Sequence, residues 1–489
     1  MSIFRNYSSN NKELIFLSIY SVVSCLPLWM VDYLPMMDLP QHTAQVEVLL
    51  NYTNSNTDYR ELFKLNFFTP YLLGYALLYL LGLIFNLSTA SKLILSLAFI
   101  ANIFLSRDLL RRYGSHKMLV WLIIPVNYSL AFYYGYFTYV ISIPVFLLFL
   151  IYVYRYLESP TTKTGVLLGL GSILLFFSHL ILFGLAMMLA CVLTYLKYGL
   201  KKWNLYIPYI IATPIFILWV VKTLTNEPGL STTYWDIGLL RIPQLFSYTL
   251  GMDERPVYVI LGLVLYLLPF VLGGKLTKNL WRWAPFSILL LIYLFVPVVL
   301  GNILHVSARI VQLVFLFYLV LFDFKSRPAL FRISTVAVYS ALLTGMIVFK
   351  FAEFNKETEG YKTFLSSIPE NKHIASMVFV TKSNQFTGLP IYLHFPVWYQ
   401  SERLGVVDYN FALLYPQIVR YRENEKPKIT YGFDTHPYLF DWTKHEAKIY
   451  DYFLVRSKKD ITKALFKDHT QSVQLVKNVK NWWLYRNLQ

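Results

Sequence analysis

The stretch Ala90–Ile123, ASKLILSLAFIANIFLSRDLLRRYGSHKMLVWLI, decides how this chain folds. An apolar run leads into a turn carrying Arg107, Arg111, Arg112 and Lys117, and a second apolar run follows at once. The first run, and the second once continued to Tyr133, approach the roughly 20 residues that cross a bilayer, and a basic turn between two such runs belongs on the cytoplasmic side. The stretch therefore reads as two crossings joined by an inner turn.

The same pattern extends in both directions. Apolar blocks occupy Leu14–Met30, Val166–Phe177, Leu205–Val221, Val257–Leu272, Ser287–Leu304 and Ile333–Phe349. Hydrophobic residues make up 56% of the chain and charged ones only 15%, with a mean hydropathy of +0.48. Soluble domains carry about 25% charge, so a polytopic membrane protein is expected. The net charge of +17 does not indicate nucleic acid, because most Lys and Arg residues lie in short loops between apolar blocks. The first block follows a basic leader with Arg5 and Lys12, lacks a small-x-small cleavage site, and reads as a retained helix. Cys25 and Cys191 fall inside apolar blocks, where packing is the expected role.

Basic and non-basic connections alternate. Arg107–Lys117, Arg155–Lys163, Lys197–Lys202, Lys275–Arg282 and Lys325–Arg332 are basic. Tyr133–Tyr139, Ser178–His179, Leu224–Pro256 and His305–Arg309 are aromatic, mixed or short. The positive-inside rule then places the N-terminus in the cytoplasm and the C-terminal region outside, with about eleven crossings. They are expected near 13–31, 90–106, 117–133, 137–155, 165–178, 180–196, 205–222, 256–272, 286–304, 308–323 and 332–350. Tyr71–Phe85 is apolar enough to cross, but a crossing there would put every later basic loop outside. It reads as a re-entrant or interfacial helix. Residues 1–351 thus form a transmembrane domain with a first outer loop at 32–89. Residues 352–489 form an extracytoplasmic α/β domain of about 135 residues, long enough for a core of its own. Within it Ala375–Val380 and Ile449–Val455 read as strands, Lys459–Phe466 as a short helix and Ser472–Tyr485 as two strands joined by a turn. Trp482, Trp483 and Tyr485 are expected to pack its core.

The outer loop opens Asp32-Tyr-Leu-Pro-Met-Met-Asp38-Leu-Pro-Gln-His42. Pro40 suits the first turn of a helix and Asp38 could cap it. Val46, Leu49 and Leu50 suggest an amphipathic helix lying on the outer membrane surface. Asp38 and His42, four residues apart, would project from one side, and Glu47 reads as solvated.

An acidic residue just outside the first span, a juxtamembrane helix, many further spans and an extracytoplasmic C-terminal domain resemble the GT-C superfamily of polyprenyl-phosphate-dependent membrane glycosyltransferases. That group includes protein mannosyltransferases and aminoarabinose transferases. Asp38-Leu-Pro-Gln-His42 resembles the acidic motif of their first outer loop, and Ala90–Ile123 their second and third spans. Many members carry two adjacent acidic residues, whereas here Leu39 follows Asp38. The resemblance implies transfer of a hexosyl or pentosyl group from a polyprenyl-phosphate-linked sugar to a glycan, lipid or protein acceptor, at the outer face of the plasma (inner) membrane. It implies no nucleic acid and leaves open a divalent metal, for which Asp38 and His42 alone are too few ligands.

The chemistry needs a carboxylate to take the acceptor proton and cations to hold the departing phosphate. Asp38 is the candidate general base, or else a helix cap. His42 is a candidate to orient Asp38 or touch phosphate, or else a surface histidine. Arg309, Arg241, His179 and His305 are candidate phosphate ligands on the outer face. The competing roles are a snorkelling arginine at 309 and a helix-packing histidine at 179. Tyr234-Trp235-Asp236 and Asp253-Glu254-Arg255 suit either sugar stacking or the interfacial belt, and Tyr133-Tyr-Gly-Tyr136 a tight turn in that belt. Two other functions share the layout: a flippase or transporter for a lipid-linked saccharide, and a polysaccharide polymerase or ligase. A transporter would show two similar halves, and no internal repeat is evident.

Overall fold

A computed structural model describes residues 11–226, 233–253, 255–300, 303–324, 330–427 and 436–489. Arg5, Glu254, Lys325 and residues 227–232 of the outer loop lie outside these. The described chain is mostly helical, with a separate small sheet region near the C-terminus.

The principal helices are α1 (Asn11–Val23), α2 (Leu39–Leu50), α3 (Leu72–Gly82), α4 (Leu87–Arg112), α5 (Phe137–Glu158), α6 (Thr162–Ser178), α7 (Leu180–Tyr198), α8 (Pro256–Val271), α9 (Leu280–Phe295), α10 (Val306–Leu319) and α11 (Leu330–Thr358). Four helical stretches are long and apolar enough to cross a membrane: Leu87–Arg112, Phe137–Glu158, Leu180–Tyr198 and Ile333–Leu365. A fifth is added if Leu200–Ile210 and Thr213–Thr225, bent by 60°, form one span. The chain is therefore built to associate with a membrane. α4 shows why its ends fall where they do. The Asn86 side chain accepts from Thr89 N–H at its start, and Arg111 and Arg112 occupy its last turn, where cations favour the carbonyl end.

Each remaining expected crossing coincides with shorter apolar helix, and two of these segments differ in form. Residues 117–133 are a chain of 3₁₀ turns, Lys117–Leu122 and Pro125–Tyr128, before the short helix Leu130–Tyr133. Pro125 lacks an N–H, and Asn127 holds Asn102 at 2.6 Å instead of continuing a regular helix. The segment expected at 286–304 begins earlier and stops at Phe295. Pro297 forces Val296 into an extended conformation (ψ 143°), and Val299–Leu300 pairs with Ile303–Leu304 and Thr233–Tyr234. α3 has only eleven residues, about 16 Å of helix, half of what a crossing needs.

Several basic connections gather at one end of the bundle. Lys117 pairs with Glu13, and Ser115 donates to the carbonyls of Leu319 (2.9 Å) and Phe322 (3.0 Å). Arg282 bonds Asp323 and the carbonyls of Val320 and Phe322.

The C-terminal sheet has five strands: β1 (His373–Val378), β2 (Val406–Val407), β3 (Tyr452–Arg456), β4 (Val473–Val479) and β5 (Trp482–Asn487). They lie in the order β4-β5-β3-β1-β2. β3 runs parallel to β1 and antiparallel to β5, with Phe453 opposite Ala375 and Tyr485. One face buries Phe453, Phe466, Trp442 and Tyr485, while Trp482 belongs to the larger core shared with the helices. The expected strands and the short helix, Thr462–Phe466, appear at nearly the expected places.

α2 is largely buried within the protein. Its apolar side packs on the helices, and its polar side is covered by the C-terminal region. Gln41 Oε1 accepts from Phe411 N–H (2.8 Å), Gln45 Oε1 from Val419 N–H (2.8 Å), and Thr43 meets Ser401 at 2.7 Å. The strand Phe63–Leu65 pairs antiparallel with Val419–Tyr421, fastening the outer loop to the same region. Uncharged polar residues on a helix read as solvated in sequence, yet here they satisfy another segment's backbone.

Candidate active site

The site begins with a turn. Gly135 adopts φ +78°, a conformation that costs side-chain-bearing residues, and this lets Tyr133-Tyr134-Gly135-Tyr136 close tightly. The turn presents carbonyls to the outer loop: Met37 N–H donates to Tyr133 O at 3.0 Å and Asp38 N–H to Tyr134 O at 3.1 Å. A Cβ on Gly135 would sit 2.4 Å from the Asp38 nitrogen. Asp38 is thus held by backbone contact with the start of α5. It occupies the N-cap position of α2 without any side-chain capping bond, so the capping role does not apply.

The same turn carries the cationic side. The rings of Tyr134 and Tyr136 stack at 5.4 Å, and His305 stacks on Tyr134 at 4.6 Å. The Arg309 guanidinium lies over Tyr136, its carbon 3.3 Å from the ring centroid, a cation–π contact. Tyr139 O–H donates to the Arg309 carbonyl at 2.5 Å. Arg309 Nη2 donates to Leu304 O at 3.3 Å, while its buried Nε has no hydrogen-bond partner among the described residues. The guanidinium is therefore anchored by ring and backbone, with a donor left over. His305 itself has φ +50°, a strained left-handed backbone at the start of α10.

The histidines surround this pair. His42 is buried rather than on the surface, and its Nδ1 lies 2.8 Å from Tyr75 O–H, which in turn donates to Gln417. Burial first, then the Arg309 charge and His394, bring its pKa down to about 3. His179 sits in the break between α6 and α7, edge-on to Tyr71 (5.2 Å) and Tyr139 (5.1 Å). Its Nδ1 is buried without a partner among the described residues. Burial, Arg309 and His42 hold it well below the usual histidine value. Burial and Arg309 together lower His305 to about 4.

Sequence reading missed His394. It arrives from the C-terminal region, stacks on Tyr409 (5.6 Å), and places Nε2 3.5 Å from Asp38 Oδ1. Burial brings it down to about 3, so at neutral pH an uncharged imidazole faces the carboxylate. No local signal marks it. Tyr133–Tyr136, by contrast, was visible as a glycine between aromatics at a turn between two apolar runs.

Arg241 does not join the cluster's chemistry. Its guanidinium is buried and donates to the carbonyls of Asp236 (2.8 Å), Tyr293 (2.6 Å) and Val296 (2.7 Å), while Tyr293 O–H returns a bond to Arg241 O. It caps the end of α9, where free carbonyls need donors, and is withdrawn as a phosphate ligand. Glu47 is half-buried rather than solvated, and burial pushes it up to about 7.

Among the described residues no three His, Cys, Asp or Glu side chains converge as a metal ion needs. Asp38 and His394 alone do not fit a metal centre. Chemically, the arrangement offers a fixed carboxylate, one permanent cation and several neutral imidazoles around a Tyr platform. Compared with known proteins, the chain matches no protein family, no curated protein and no solved structure.

Proposed function

We propose that this protein is a membrane glycosyltransferase of the GT-C type, moving a sugar from a polyprenyl-phosphate donor to a hydroxyl of an extracytoplasmic glycan, lipid or protein. The observation that carries the reading is that Asp38 and Arg309 both rest on one turn, Tyr134-Gly135-Tyr136. A base and a phosphate-holding cation must flank the reacting carbon, and these two residues come from segments far apart in the chain.

In this reading the acceptor oxygen attacks the anomeric carbon as its proton passes to the Asp38 carboxylate. The bond from that carbon to the phosphate oxygen breaks, and polyprenyl phosphate leaves with the electron pair. Arg309 supplies the charge that receives it, with its unpaired Nε as a donor and neutral His305 and His179 beside it. His394, uncharged, lies 3.5 Å from Asp38 Oδ1 and positions the carboxylate. The reading takes eleven crossings, with this cluster outside. The gathering of Lys117, Arg282 and Glu13 at one end of the bundle supports that orientation.

The test is incubation of purified protein with a panel of polyprenyl-phosphate sugars and detection of sugar transfer or release. Turnover should fall about 10²–10⁴-fold in Asp38→Asn, the usual range for removing a general base. A folded Asp38→Asn protein with wild-type turnover, or no activity with any donor, would defeat the proposal.

A further inference from the structure

A cavity of about 540 Å³ lies apart from the residues of the candidate active site. It is lined by Arg255 and Tyr258 at the start of α8, by Gly345, Met346, Phe349 and Lys350 of α11, and by Asn384 and Gln385 of the C-terminal region. Its two cations share one ring. Arg255 lies 4.7 Å and Lys350 4.6 Å from the Tyr258 centroid. Two like charges so placed repel, and an anion between them relieves that repulsion.

Lys350 is the sharper observation. It is only 8% exposed, and its ammonium meets the Met252 thioether (2.9 Å) and the faces of Tyr258 and Phe386. No oxygen acceptor lies within hydrogen-bond distance of it among the described residues. The neighbouring carboxylate, Asp253, is already taken by Arg255 (2.8 Å) and Thr387 O–H (2.9 Å). A buried ammonium without an oxygen partner is costly, and it faces a cavity large enough to supply one.

The lower wall indicates what carries that oxygen. A Cβ on Gly345 would meet nothing within 4 Å, and Phe349 is 63% exposed. The wall continues along the same face of α11 into exposed Val338 and Leu342. Cations above an apolar trough on membrane-type helices fit a molecule with an anionic head and hydrocarbon tails. We propose that this cavity binds an acidic phospholipid, its phosphate between Arg255 and Lys350, its head-group hydroxyls toward Asn384 and Gln385, and an acyl chain over Gly345 and Phe349. The inference is independent of the glycosyltransferase reading.

The experiment titrates the purified full-length chain, in mixed neutral micelles, with fluorescent phosphatidylglycerol and with its phosphatidylcholine counterpart. The wild type should prefer the acidic lipid by about tenfold or more, the usual worth of a charge-assisted contact. Lys350→Met and Arg255→Gln should each erase most of that preference, and Lys350→Arg should keep it. Gly345→Phe should weaken both lipids by filling the trough. Equal binding of the two lipids by the wild type would overturn the proposal. So would a preference that survives in both Lys350→Met and Arg255→Gln. Displacement by inorganic phosphate as efficiently as by unlabelled acidic lipid would also overturn it, showing a simple anion site.

Discussion

Gly135→Ala tests the site without removing any ionisable group. The new methyl would lie 2.4 Å from the Asp38 nitrogen and 2.9 Å from that of Leu39, so the outer loop must retreat by about 1 Å to reach ordinary contact. Alanine at φ +78° costs about 1–2 kcal/mol. The hydrogen bonds Met37 N–H to Tyr133 O and Asp38 N–H to Tyr134 O weaken together, at about 1 kcal/mol each. The expected destabilisation is therefore about 2–4 kcal/mol, read as a lowered midpoint of thermal unfolding in detergent. A carboxylate displaced by that amount should slow single-turnover sugar transfer by about 100-fold while donor binding changes little, because Arg309 is not moved. Gly184→Ala is the control, since its Cβ would meet nothing within 4 Å and should leave stability and rate near wild type. A Gly135→Ala protein with unchanged midpoint and unchanged rate would refute the assignment of the turn as the seat of Asp38.

Four further outcomes are expected. Arg309→Gln should weaken donor binding by about 1.5–3 kcal/mol, whereas Arg309→Lys should recover only part because it lacks the planar stack on Tyr136; equal donor affinities in all three proteins would remove Arg309 from the site. His394→Phe should lower kcat with KM nearly unchanged, and His394→Gln should restore part of it, as a positioning role requires; no change in either constant would remove His394 from the mechanism. Arg241→Met should lower thermal stability by about 2–3 kcal/mol through three carbonyls, that of Tyr293 fully buried, left without a donor, with donor affinity preserved in the folded fraction. The buried histidines give the pH dependence its sign. His42 and His394 are lowered to about 3 and His305 to about 4, so the folded site resists protons that the unfolded chain accepts near 6.5. Their contribution is complete above pH 6.5 and declines as pH falls from there toward 4, by at most about 1.4 kcal/mol per pH unit for each histidine. Thermal midpoints that stay flat between pH 7 and pH 4.5 would contradict the burial of these rings.

Much of the helical frame was legible because apolar length is a local property. A run such as Leu87–Arg112 announces itself wherever it stands, and the bilayer sets the length that matters. The shortness of α3 was foreshadowed by charge balance, since a crossing at 71–85 would misplace every later basic loop. The broken segment 117–133 and the hairpin after Phe295 escaped notice although Pro125 and Pro297 mark both, because apolar composition alone carries no hydrogen-bond geometry.

Residue type and its position along the chain were enough to nominate Asp38, His42, His179, His305 and Arg309. Polar groups beside apolar spans are costly and so conspicuous. Arg241 looked equivalent by that criterion, and only the packed structure separates it, by giving its donors three carbonyls. The approach of His394 to Asp38, the turn at Gly135 that seats the carboxylate, and the covering of α2 by the C-terminal region were decided by tertiary structure alone. Those are contacts between segments distant in sequence, and composition and periodicity report only on a residue's own neighbourhood and its preference for water or lipid.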